Sequence, residues 1–252
     1  MAGVVLRAGE GEQLFRGRIV LKADFEQLTI TESLFSDARP GARPHLHRHH
    51  ADSFYVLEGG FTVLVHDKEH PLPPNGCACA PPEVVHGFRS TSRTRFLNFH
   101  TPDGGFADHL RAQSRRREGG FDSFDAEPGS GAPPTEAVVL APGEGERLEG
   151  DTRVATIKIG RDELALIEFE LEPEFQGPDL HAHDDHIDAF YVLVGEPEFV
   201  MGDGTLRLGE GSFVAAPLGL VHTFGNPGSE PARVLNIHAP SLGFHDWLRT
   251  VN

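Results

Sequence analysis

Residues 45–59 read HLHRHHADSFYVLEG, and residues 181–195 read HAHDDHIDAFYVLVG. Nine of these 15 positions are identical, where unrelated segments would share about one, so an internal repeat is the first thing to test. The offset of 136 residues persists in His86 and His222. Upstream, VVLRAGEGEQL from Val4 matches VVLAPGEGERL from Val138. Downstream, RFLNFHTP from Arg95 matches RVLNIHAP from Arg233, and GFADHLR from Gly105 matches GFHDWLR from Gly243. The 252 residues are a tandem duplication. The expected units are residues 1–112 and 136–252, joined by a linker, 113–135. The linker is rich in charge, Gly, Pro and Ser and reads as solvated, with Arg115-Arg116-Arg117 at a solvated helix end.

Composition excludes several partners. Lys plus Arg number 22 against 38 Asp plus Glu, a net charge of −16, which repels a phosphate backbone or an anionic membrane. No apolar run approaches the ~20 residues of a membrane helix. The N-terminal stretch lacks a basic segment followed by a sustained apolar one, so no secretory signal is expected. Only Cys77 and Cys79 occur, too few for a disulfide framework, and they read as small buried residues. These features predict a soluble, cytoplasmic protein with no nucleic-acid or membrane partner. Histidine stands out, with 15 copies against two Tyr, two Met and one Trp, and imidazole is the commonest protein metal ligand.

Each unit reads as short strands. RIVLKA and FEQLTITES in the first copy, and VATIKI and LALIEFEL in the second, alternate or are β-branched beside turn residues. SFYVLEGGFTVLVHD is two apolar runs split by Gly59-Gly60, a bulge or a hairpin. Such spacing suggests a closed barrel or sandwich per unit. Helix is expected only around Phe106–Arg111 and Phe244–Arg249.

His45 and His47 are two apart, as are His181 and His183, and on a strand such residues share a face. Asp52 and Asp188 follow at one common offset, and His86 and His222 follow after Pro-containing turns. Three imidazoles and a carboxylate that leave coordination positions open suit a divalent first-row metal. The bland reading of one such His pair is a polar or surface cluster; repetition of all four residues at matched spacing outweighs it. His50 and His186 read as substrate contacts or as partners that orient ligands, with a solvent-facing loop as the bland alternative. His100 and His238, each in an Asn-x-His pair with Asn98 or Asn236, read as pocket groups or as surface. His49, His66, His70, His109 and His245 lack a His counterpart and read as structural or exposed. Tyr55 and Tyr191 of the repeated FYVL are expected to pack between barrel elements.

Each unit resembles a cupin, and the whole chain a bicupin. The family's second motif, G-x5-P-x-G-x2-H-x3-N, is matched by Gly211, Pro217, Gly219, His222 and Asn226. In the first copy Asn75, Pro81, Glu83, His86 and Ser90 stand at those positions. For the first motif, G-x5-H-x-H-x3–4-E-x6-G, His45, His47 and Gly59 match, as do His181, His183 and Gly195. Gly41 and Gly177 lie closer to the first His than the motif has them. Both copies carry Asp where the family usually has Glu, one methylene shorter, and the shared swap argues for a tolerated ligand.

The resemblance implies an all-β fold of two tandem RmlC-like jelly-roll barrels with short C-terminal helical segments. It also implies one divalent transition metal per barrel (Fe, Mn, Ni, Cu or Zn), held by His45, His47, Asp52 and His86 and by His181, His183, Asp188 and His222. Fold does not fix reaction. The leading expectation is a quercetinase-like dioxygenase acting on a chelating hydroxy-ketone or enol with O2, in which Asp52 and Asp188 act as ligands or bases. The alternatives are an isomerase, lyase or decarboxylase on a small oxygenated acid or sugar, and a non-catalytic small-molecule binder. The expected assembly is a monomer, as an internal pseudo-dimer, or a homodimer. The His-rich loop of the first unit, set against Asp184 and Asp185 in the second, suggests that the first admits acidic substrates more readily and the second holds metal more tightly. Glu83 would be strained if its turn needs a positive φ.

Overall fold

The computed structural model describes residues 2–251. The chain forms two all-β jelly-roll units, but their boundaries differ from those of the duplication. One unit is Gly11–Glu144; the other joins the described residues up to Glu10 to those from Gly145 onward. The cause is strand pairing. Val4–Leu6 pairs with Phe213–Ala215, and its repeat counterpart Val138–Leu140 pairs with Cys77–Cys79. Each repeat therefore gives its first strand to the sheet built by the other.

In the Gly11–Glu144 unit the antiparallel order is Val138–Leu140, Cys77–Ala80, Ala51–Val65, His86–Thr101, Leu28–Phe35, Ile19–Phe25 and Glu12–Leu14. Gly59-Gly60 ends no strand: Ala51–Val65 is continuous, and its pairing with His86–Thr101 shifts register around Gly59. A Cβ on Gly59 would sit 1.8 Å from the Arg93 carbonyl, so only glycine permits this approach. The core is aromatic, with Phe54, Phe61 and Phe96 fully buried and the Phe61 and Phe96 rings 4.8 Å apart. A helix, Phe106–Ser114, turns Ala107 and Leu110 on to Leu14 and Leu21.

The other unit has the order Val4–Leu6, Phe213–Ala216, Ile187–Val194, Ala232–Ala239, Ala165–Leu171, Arg153–Gly160 and Glu146–Glu149. A three-stranded sheet holds Gly204–Arg207, Glu198–Met201 and His222–Gly225. The long strands of the first unit are broken here into two pieces each, with Pro197 and Pro227 in the intervening segments. Phe169, Phe190, Phe199 and Phe213 fill the core, and the helix Phe244–Val251 packs Leu248 against it.

Both Tyr and both Cys are buried as expected, the cysteines as free thiols. Among the described residues no helix is long and apolar enough to cross a membrane. A buried ion network also repeats. Lys22 lies 3.0 Å from Glu32, which is also 3.6 Å from Arg95; Lys158 and Arg233 approach Glu168 at 3.9 and 3.4 Å. The sequence reading missed these groups, because single charges inside strand patterns read as solvent-facing.

Candidate metal centres

Strand pairing assembles the first cluster. His86 is registered opposite His45, and Asp52 lies between Ala80 and His100 on the neighbouring strands. The Glu83 N–H donates to the His47 carbonyl and fixes the loop that carries His47. One donor atom each from His45, His47, Asp52 and His86 lies within 4.8 Å of all the others, and all four residues are buried. The second cluster, His181, His183, Asp188 and His222, repeats this geometry with His181 and His183 half-buried. There a two-way backbone pair joins His181 to His222, and the Gly219 N–H donates to the His183 carbonyl.

Hydrogen bonds orient the imidazoles. The Nδ1–H groups of His45 and His86 donate to the Arg43 and Val84 carbonyls at 2.7 and 2.9 Å. His181 and His222 donate to Asp179 and Leu220, both at 2.8 Å, and His47 donates to the Asp122 carbonyl. A carbonyl can only accept, so in all five rings Nδ1 carries a proton, and Nε2 is the nitrogen that would face an ion. The Nε2 atoms of His47 and His183 are buried with no hydrogen-bond partner, which is costly unless something binds there.

The carboxylates are held ionised. Burial pushes Asp52 up, but His100, then His47 and His86, outweigh it and hold its pKa well below the ordinary range. Asp188 is likewise pushed up by burial and held far lower by His238, His183 and His222. His86 Nε2 lies 3.2 Å from Asp52, and His222 Nε2 lies 3.0 Å from Asp188. Asn98 and Asn236 donate to the other carboxylate oxygen, the latter at 2.5 Å. Burial first, then His86 and His47, lowers the His45 pKa to about 4, which keeps it a neutral ligand at pH 7.

The further histidines cluster with these sets. His50 and His100 lie within 4.8 Å of His47, and His186 and His238 within 4.8 Å of His183. Phe106 stacks on His100 at 3.7 Å, and Phe244 on His238 at 3.5 Å. His49 is exposed, whereas His245 is buried and within 2.8 Å of the Ser241 hydroxyl.

Part of the expected solvated linker belongs to the first centre. Phe121 packs 5.6 Å from the His47 ring. Asp122 accepts from the backbone N–H groups of Arg48 and His49 at 2.9 and 2.6 Å, and from His50 Nδ1 at 3.2 Å. Phe124–Asp125 then pairs with His45–Leu46. Composition pointed to solvent; the one sequence signal against it was the FDSF run, with two phenylalanines in an otherwise polar stretch.

The two centres differ in access. A cavity of about 350 Å³ reaches His181, His183, Asp188, Asn236 and His238 and is walled by Phe169, Phe224, Phe244 and Trp247. The cavity of about 430 Å³ beside the first centre reaches His45 alone among the four, with Phe121 in its wall.

Cupin domain matches cover residues 36–100 and 167–238, more than half of the chain. Quercetin 2,3-dioxygenase of Bacillus subtilis (strain 168) is 23% identical over 98% of this chain and 85% of its own length. Among solved structures, oxalate decarboxylase of Bacillus subtilis, whose description names Mn(II) centres, superposes with a TM-score of 0.57 at 15% identity. That match covers 85% of this chain and 69% of the other. A Pseudomonas aeruginosa protein described as glyoxylate-induced gives a TM-score of 0.63 at 16% identity, over 87% of this chain and 79% of its own. With two cupin domains in tandem, the chain belongs to the cupin family as a bicupin.

Proposed function

We propose that each unit holds one divalent first-row metal ion, through His45, His47, Asp52 and His86 and through His181, His183, Asp188 and His222. We further propose that the chain is a dioxygenase for a small chelating hydroxy-ketone or enol. The observation that carries the metal reading is the set of five Nδ1–H bonds to backbone carbonyls, which aim Nε2 atoms at an ionised carboxylate. The name of the quercetin 2,3-dioxygenase, matched over nearly the whole chain, supports the reaction class.

A bound ion would act as a Lewis acid that lowers the pKa of a coordinated substrate hydroxyl. The chain supplies the rest. Phe169, Phe224, Phe244 and Trp247 form a wall suited to a planar aromatic substrate and exclude water from it. Asn236 holds Asp188 in place. So strongly acidic a carboxyl is a weak base, which favours Asp52 and Asp188 as ligands over proton abstractors. His238 lines the cavity and is read as a substrate contact, with His186 packed 4.8 Å behind it.

One observation favours a second reading. Arg153 lines the same cavity, and a guanidinium there fits a carboxylate-bearing substrate and hence a lyase or decarboxylase. O2 uptake measured with a panel of flavonols and 1,3-dicarbonyls separates these cases. Uptake coupled to substrate loss is expected; turnover of a small acid without O2 would replace the dioxygenase reading, and ligand binding without turnover would leave a binding protein.

A further inference from the structure

His183 faces two ways. On one side lie His181, Asp188 and His222, read above as the metal position; on the other lie His186 and His238, with ring centroids 3.9 and 5.6 Å away. The nitrogens of His183, His186 and His238 come within 4.8 Å of one another. His186 and His238 are at least nine-tenths buried, yet Nε2 of His183, both ring nitrogens of His186 and Nδ1 of His238 have no hydrogen-bond partner. His238 Nε2 is occupied, 3.3 Å from Asp188 Oδ1, so Nδ1 is the nitrogen left over. Three buried, converging lone pairs are unfavourable together unless a cation or a donor sits among them.

The first unit provides the contrast. Its equivalent rings, His47, His50 and His100, also converge. There His50 Nε2 and His100 Nδ1 lie 2.9 Å apart, and His50 Nδ1 meets Asp122 at 3.2 Å, so the nitrogens are spent on one another. In the second unit they remain available, and both His183 and His238 line the cavity.

We propose that the second unit carries two overlapping cation positions that share His183, the further one made by His183, His186 and His238. The inference rests on the reading of His181, His183, Asp188 and His222 as the first position. One lone pair on His183 Nε2 serves one ion at a time, so the positions are alternatives. An all-imidazole set suits Zn2+, Cu2+, Ni2+ or Co2+ better than Mg2+ or Ca2+. An ion at the further position would turn its open coordination sites to the cavity.

Co2+ alone is the probe, added to metal-free full-length protein in which His47→Ala and His86→Ala have removed the first unit's sets. In this background we expect one Co2+ per chain. Adding His181→Ala and His222→Ala should keep one Co2+ with weaker affinity and a changed visible spectrum, and a further His238→Ala should abolish binding. No Co2+ binding after His181→Ala and His222→Ala, with circular dichroism showing a folded chain, overturns the proposal. If His186→Ala with His238→Ala instead abolishes binding while His181→Ala with His222→Ala retains it, the first position is the one that fails. Should the latter pair not fold, His186→Gln in the background protein decides. It should remove one of two Co2+ spectral components, and a spectrum unchanged by it overturns the proposal.

Discussion

The first centre is covered by chain that follows its helix, whereas the second opens directly on to an aromatic-walled cavity. In the first, Phe121 and Asp122 lie over His47 and His50, and all four candidate ligands are buried. In the second, Phe244 and Trp247 of the helix line the cavity mouth, and His183 keeps a fifth of its side chain exposed. Duplicated ligands do not make duplicated sites, because the first is covered by the segment between the copies, Phe121 and Asp122, and the second has no counterpart of that cover among its cavity residues. The His-rich loop of the first site is itself largely closed off: His45, His47 and His50 are buried, and Arg48 and His49 are its exposed residues.

The largest expected effect separates the units by function. His222→Ala should reduce turnover by at least the about 100-fold that losing a ligand-orienting partner can cost, and His86→Ala much less, although His86→Ala removes one metal equivalent by elemental analysis and His222→Ala leaves the second unit's ion more weakly held. Equal turnover losses would erase the functional distinction, and unchanged metal content in His86→Ala would remove the ligand assignment. Next come the buried ion networks. Glu32→Ala and Glu168→Ala each remove a carboxylate partner of a buried lysine, with an expected loss of about 3–5 kcal/mol in denaturant unfolding. The loss should be greater in the first unit, where the pair is at 3.0 Å rather than 3.9 Å.

Uncovering the first site comes third. Asp122→Ala removes an anionic acceptor of two backbone N–H bonds, worth about 1.5–3 kcal/mol, and should speed chelator extraction of metal from that unit alone. Burial raises the Asp122 pKa, but the N–H groups of His49 and Arg48 outweigh it and leave it below 3.8. Its contribution is therefore full above pH 3.8 and is lost as pH falls below that value. An Asp122→Ala variant with the same acid-unfolding profile as the parent would refute this.

The smallest effect is conformational. Gly219 has φ +75°, and Glu83 holds the same turn at φ +66°, so Glu83→Gly should stabilise the first unit by about 1 kcal/mol. Asn75, the repeat counterpart of Gly211, also has positive φ, but asparagine tolerates it. No gain in melting temperature for Glu83→Gly would show that the loop contacts offset the strain.

The strand class, the two helices and both four-residue clusters were legible because they depend on spacing within one repeat. His45 and His47 share a face, and His86 follows a Pro-containing turn, whichever segments surround them. What was not legible depends on partners remote in sequence. Nothing in the Gly-, Ser- and Pro-rich stretch states that Phe121 returns to His47, since composition measures average solvation rather than one contact. Lys22 and Glu32 read as ordinary charged strand positions until the sheet brings them together. The repeat reveals that Val4 and Val138 are equivalent, yet identical residues carry no label for which copy they pair with.

That pairing bears on how the protein can be cut and how it arose. A fragment ending before Val138 would leave Cys77–Ala80 without an outer neighbour, an unpaired edge of the kind that recruits other chains. A fragment spanning Gly11–Glu144 would keep its full complement of strands. The segment that was copied is thus offset from the segment that can be excised intact. Such an offset is the trace expected if a single-copy ancestor traded its leading strand with a second molecule before fusion made the trade internal.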